Sequence, residues 1–183
     1  MKKKSIALLA SLVLVVGIAA GGTLAWLIDD TTPVVNTFTT SDVDIDLTET
    51  PNLDLQMVPG KTIMKDPKVT VKANSEKCYV FVKIDKSANY DTYMDAYTLA
   101  EGWETDLSLP ENVVYRVVDK SASNQDFYIL KDNQVTVKGS VTRDDMAAAQ
   151  SSQPTLTFTA YAVQFDHLDE ATVANAWSLA SAN

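Results

Sequence analysis

Thr155-Leu156-Thr157-Phe158-Thr159-Ala160-Tyr161-Ala162-Val163-Gln164-Phe165 is the stretch on which the fold is decided. Leu156, Phe158, Ala160 and Ala162 share one parity, while Thr155, Thr157 and Thr159 take the other. A two-residue period gives an apolar and a polar face only when the chain is a β-strand. From Tyr161 onward both parities turn apolar, which predicts a segment covered on both faces.

The same pattern recurs outward from this strand. Val43, Ile45 and Leu47 alternate with Asp42, Asp44 and Asp46. Leu53-Asp54-Leu55-Gln56-Met57 repeats the alternation, and Pro59-Gly60 marks a turn. Val69 and Val71 alternate with Lys68, Thr70 and Lys72, and Asn74-Ser75 loops into a strand over Cys78–Ile84. Val113–Val118 and Phe127–Leu130 are apolar runs of strand length, and Asp132-Asn133 supplies turn residues before Val135 and Val137. Thr142-Arg143-Asp144-Asp145 has the capping-box spacing of a short helix. A terminal helix is expected from Asp169 to about Leu179, with Ala171, Ala174 and Trp177 at helical spacing. Asn89 to Leu107 holds five acidic residues and no basic one between Tyr90 and Leu107, and its aromatic spacing fits a helical or a loop insertion. About seven to nine short strands predict a mainly β fold. The expected form is a jelly-roll or β-sandwich with short helical insertions and a C-terminal helix, an up-and-down barrel being the alternative.

The first residues set the destination. Lys2-Lys3-Lys4 precedes an uncharged run to Ile28 that ends in small residues, the layout of a secretory signal. Cleavage between Ala25 and Trp26 is expected, an uncleaved anchor being the alternative. Three parts follow: a signal peptide over 1–25, an extended N-terminal arm over 26–41, and the β-sandwich domain over 42–183. With the three leader lysines gone, 12 basic side chains stand against 24 acidic ones, a net charge of −12. That charge opposes nucleic acid and anionic membrane surfaces as partners, so the membrane is met only through the leader. Cys78 is the single cysteine, so an intramolecular disulfide is impossible. It shares parity with Val80, Val82 and Ile84, which predicts a buried, inert thiol, opposite a face holding Lys77, Lys83 and Asp85.

Catalytic motifs are absent. The chain has no H-E-x-x-H, G-x-S-x-G, phosphate loop or C-x-x-C. His167, the single histidine, stands near Asp166, Asp169 and Glu170. Zn²⁺ ligation there is weighed against a helix-capping cluster, which is favoured. Ca²⁺ at Asp42, Asp44 and Asp46 is weighed against a solvated strand face, which is again favoured. No catalytic residue, cofactor site or metal site is assigned.

Several segments together resemble one family. Gly21-Gly22-Thr23-Leu24-Ala25-Trp26, then Asp29-Asp30-Thr31, then Asn36-Thr37-Phe38-Thr39 leading into Val43–Leu47, is similar to the SipW-type signal peptide and mature start of TasA/camelysin-like proteins. Val58-Pro59-Gly60-Lys61, Lys65-Asp66-Pro67 and Thr159–Gln164 add to the likeness. The resemblance implies secretion from a Gram-positive bacterium by a dedicated signal peptidase, a jelly-roll fold, and biofilm-matrix fibres grown when one subunit's N-terminal arm completes the next subunit's sheet. The matching arm is Trp26 to about Ser41, with Trp26, Leu27, Ile28, Val34, Val35 and Phe38 as its apolar residues. Some members carry a metallopeptidase label, which no residue pattern of this chain supports.

A non-enzymatic structural protein of the cell surface or biofilm matrix is therefore expected, its partners being copies of itself or a related fibre subunit. A secreted camelysin-type metalloendopeptidase and a surface adhesin or assembly factor are the alternatives. The arm can add to a neighbour's sheet edge or fold back on its own, and sequence leaves both open.

Overall fold

Most of the alternating segments pair as strands in the computed structural model, which describes residues 42–50, 56–167 and 172–182, but Asp42–Asp44 and Gln56–Met57 are outside any strand. The leader, the arm and Leu53–Leu55 lie outside the described residues, as do Asp169, Glu170 and Ala171. Among the described residues there are eight strands, in three antiparallel sheets. They are β1 (Ile45–Thr48), β2 (Thr62–Met64), β3 (Lys68–Val71), β4 (Cys78–Lys86), β5 (Val113–Val118), β6 (Gln125–Tyr128), β7 (Gln134–Thr136) and β8 (Leu156–Gln164). The sheet orders are β1-β3-β6, β2-β7 and β5-β4-β8. The chain is mainly β, and no described helix is long and apolar enough to cross a membrane.

Strand β4 is the structural centre. It lies between β5 and β8, with Val82 opposite Val114 on one side and Ala160 on the other. Its even residues Cys78, Val80, Val82 and Ile84 are buried in one apolar cluster with Val69 and Val71 of β3 and Ile129 and Leu130 after β6. Leu156, Phe158, Ala160 and Ala162 of β8 pack against that cluster, as their parity predicts. The odd face of β4 holds more than Lys83 and Asp85. Tyr79 and Phe81 are buried there with Ala176 and Ala180 of the last helix, and the Trp177 ring packs tilted against Phe81 at 5.4 Å. The sheet is thus covered on both faces, which is why Tyr161 and Val163 are apolar.

Three short helices complete the chain: α1 (Tyr90–Tyr93), α2 (Arg143–Ala149) and α3 (Val173–Ala180). The predicted capping box forms at α2. The Asp145 amide donates to Thr142 Oγ1 at 3.2 Å, and the Thr142 amide to Asp145 Oδ2 at 2.9 Å. Helix α3 starts later than the sequence suggests. Thr172 is its N-cap, extended at ψ 148° and accepting from the Asn175 amide, so the helix begins at Val173. Its buried residues are Ala176 and Ala180, one turn apart. Two strands also sit off their predicted bounds. β1 begins at Ile45, leaving Leu47 37% exposed, and β6 ends at Tyr128, where the chain turns inward to bury Ile129 and Leu130.

The Asn89–Leu107 insertion is neither simply helix nor simply loop. After the single turn of α1 the chain runs extended, making antiparallel bridges Met94–Val137, Leu99–Leu130 and Glu104–Tyr115 in succession. This strap runs past the ends of β7 and β6 and alongside the middle of β5.

Candidate strand-addition site

Backbone edges, rather than side-chain chemistry, distinguish one part of this domain. An unpaired strand edge exposes a row of N–H and C=O groups that another strand can satisfy. The strap covers part of two of the edges. At β5, the Glu104 and Tyr115 amides donate to each other's carbonyls at 2.8 and 2.9 Å. At β6, Ala100 N donates to Ile129 O at 2.9 Å, Lys131 N to Thr98 O at 2.9 Å, and Trp103 Nε1 to Tyr128 O at 2.7 Å. Over Leu156–Ala162 of strand β8, no described segment makes hydrogen bonds of this kind to the side away from β4. Nine residues long, β8 pairs with β4 on one side and with no described strand on the other. Strand β2 likewise has β7 on one side only among the described residues.

The phase of the β8 hydrogen bonds identifies the outward groups. Phe165 N donates to Lys77 O at 2.8 Å, and Thr155 O accepts from Ser87 N at 3.0 Å, so the odd residues point their backbone groups toward β4. Antiparallel pairing alternates, so Leu156, Phe158, Ala160 and Ala162 turn their N–H and C=O groups to the outer edge. Their side chains meanwhile face the shared core.

A cleft of about 400 Å³ adjoins the start of this strand. Leu156 lines it from β8, Ile63 from β2, Val135 from β7 and Tyr90 from α1, with Met57 and Met94. Lys65 borders it, its ammonium held by Glu49 at 2.8 Å and 5.6 Å from the Phe158 ring centroid. Tyr90 is 3% exposed, yet its hydroxyl has no hydrogen-bond partner among the described residues. Burial, with lesser contributions from Tyr97, Asp91 and Asp95, pushes this phenol up to about 12. A cleft lined by apolar side chains with Lys65, Gln153, Thr155 and Thr157 at its border is the form of a site that takes an amphipathic group.

The residues singled out in the sequence fall as follows. Ala25 and Trp26, and the arm residues Leu27, Ile28, Val34, Val35 and Phe38, lie outside the described residues. Asp42, Asp44 and Asp46 form an exposed face, and the Lys72 ammonium donates to the Asp46 carboxylate there. That hydrogen bond raises the Lys72 pKa. His167 ends a 3-10 turn over Phe165–His167 beside the exposed Asp166. Among the described residues no three His, Cys, Asp or Glu side chains gather as a metal site. Cys78 is fully buried, and burial pushes its thiol up to about 11.

Sequence reasoning missed the strap, the open edge of β8 and the cleft beside it. Tyr90 and Met94, four apart, carried a faint signal as one apolar pair. No local pattern says which strand of a sheet is its edge. No protein-family model matches this chain, and neither a curated protein nor a solved structure matches it.

Proposed function

We propose that this chain is a secreted, non-enzymatic structural protein of the cell surface or biofilm matrix that assembles into fibres by N-terminal strand exchange. The arm of one copy, residues 26–41 freed by cleavage after Ala25, adds to the β8 edge of the next. The domain is read as a jelly-roll or β-sandwich in which β5-β4-β8 and β2-β7 belong to one sheet with a strand position left open between β8 and β2. A single observation carries this reading: β8 and β2 both line one apolar cleft, and each lacks a strand on one side among the described residues. The resemblance to TasA/camelysin-like proteins supports it, as does the acidic charge, which favours a soluble precursor.

Head-to-tail addition of this kind does not close on itself, so it yields a filament. The arm is long enough. Sixteen residues at about 3.3 Å each span roughly 50 Å, against roughly 30 Å for nine-residue β8. Negative-stain microscopy and light scattering on the secreted protein test the reading, with a variant lacking residues 26–41 alongside. Fibres are expected from the first and single copies from the second. Equal behaviour of the two rejects the arm mechanism.

A further inference from the structure

Resting on the strand-exchange reading, we infer that the cleft between β8 and β2 is an anchor site for Trp26 of another copy, whose indole N–H donates to the Tyr90 hydroxyl. The cleft asks for a large apolar group carrying one hydrogen-bond donor or acceptor. The apolar part of its lining, Met57, Ile63, Met94, Val135 and Leu156, is aliphatic or thioether beside the polar Gln153, Thr155 and Thr157, and methionines adapt to flat aromatic shapes. Tyr90 lines the cleft, and its buried hydroxyl has no hydrogen-bond partner among the described residues. Of the arm's apolar residues Trp26, Leu27, Ile28, Val34, Val35 and Phe38, only Trp26 has a side-chain donor. A buried aromatic anchor with its polar edge satisfied is the usual centre of a tight interface. Trp26 is also the residue that cleavage after Ala25 places at the arm's tip, where an anchor fixes register for every residue behind it.

The test uses the full-length protein, exported and processed, with the critical concentration for fibre growth as the readout. Tyr90→Phe leaves the indole N–H buried without an acceptor, and is expected to raise that concentration about five- to tenfold. Trp26→Phe keeps the apolar body and loses the donor, and is expected to raise it about threefold. The two changes together remove both partners, and the double variant is expected to return toward the parent rather than to show the product of the two factors. Tyr90→Phe leaves the single copy at least as resistant to heat as the parent, because the hydroxyl has no partner to lose within the described domain. An unchanged critical concentration in Tyr90→Phe, or factors that simply multiply, overturns the anchor. So does a Phe38→Ala variant that weakens assembly while Trp26→Phe does not. In each of those results fibres still depend on the arm, so strand exchange survives. Fibres that persist without residues 26–41 overturn both. If Trp26→Phe is not processed, Tyr90→Phe alone decides.

Discussion

The indole Nε1 of Trp103 donates to the backbone carbonyl of Tyr128 at 2.7 Å, capping the end of the β6 edge with a side chain where a strand would otherwise pair. Trp103 is held there from its other side. The Arg116 guanidinium lies 5.3 Å from the Trp103 ring and 3.8 Å from that of Phe127. Edge β6 is protected this way at Tyr128, whereas β8 pairs with β4 on one side and with no described strand on the other.

The strap's anchor is sensitive to small changes. Gly102 sits at φ +84°, and a Cβ there would stand 2.8 Å from Arg116 Nη2. Gly102→Ala is expected to lower stability by about 1–3 kcal/mol through backbone strain and the displaced guanidinium. Trp103→Ala is expected to cost about 3–5 kcal/mol and to open the β6 edge to irregular aggregation. Urea unfolding with size-exclusion chromatography checks both. A Trp103→Ala protein as stable as the parent means the strap does not hold the edge.

Blocking the outer edge of β8 separates folding from assembly. Ala160 turns its N–H away from β4, so Ala160→Pro removes a donor from the outer edge and none from the β4 ladder. Proline is tolerated on edge strands for that reason. The expected outcome is a folded protein, about 1–2 kcal/mol weaker on the scale of such substitutions, that makes no fibres. Circular dichroism and microscopy report the two halves of this prediction. Fibres of normal length from Ala160→Pro place addition on another edge.

Acid weakens the β3–β6 pairing in a defined direction. The Lys68 ammonium at 2.8 Å and the Thr70 hydroxyl at 2.6 Å hold the Asp126 carboxyl below its ordinary 3.8. A lowered folded value gives stability that is present above pH 4 and lost as pH falls through the folded value. The carboxylate is 49% exposed, so screening keeps the effect under about 1 kcal/mol. Asp126→Asn is expected to flatten the fall in the urea midpoint below pH 4. An equally steep fall in that variant assigns the acid sensitivity elsewhere.

Alkali acts through the core. Cys78 is raised from 9.0 to about 11 by burial, so its contribution is whole below pH 9 and disappears as pH rises toward 11. Two pKa units correspond to about 2–3 kcal/mol. Cys78→Ala removes this alkaline slope and leaves a small cavity cost at neutral pH. The native thiol is expected to resist a thiol reagent such as Ellman's until the protein unfolds. Rapid labelling of the folded protein contradicts the burial on which this rests.

Much of the fold could be read from period alone, because β-strands with one buried face write themselves as alternation. Cys78, Val80, Val82 and Ile84 were legible as core in this way, and so were Leu156, Phe158, Ala160 and Ala162. Thr142 and Asp145 were legible because a capping box is a local hydrogen-bond exchange. The odd face of β4 was harder to read, since Tyr79 and Phe81 become core only when α3 folds over them. Leu47 carried a misleading signal: its parity matched Ile45, but it lies near the end of an edge strand and stays partly in water. The candidate site was least legible. Which edge is open, and that Ile63, Tyr90 and Leu156 meet around one cleft, depends on pairing between segments up to about ninety residues apart, and no local pattern records that.

Amide hydrogen exchange at Leu156, Phe158, Ala160 and Ala162 tests the central claim most directly. These four N–H groups exchange fast in dilute single copies and become strongly protected in the assembled state, while a variant lacking residues 26–41 shows no such protection at any concentration. Protection already complete in dilute single copies, or absent from the fibre, contradicts strand addition at β8.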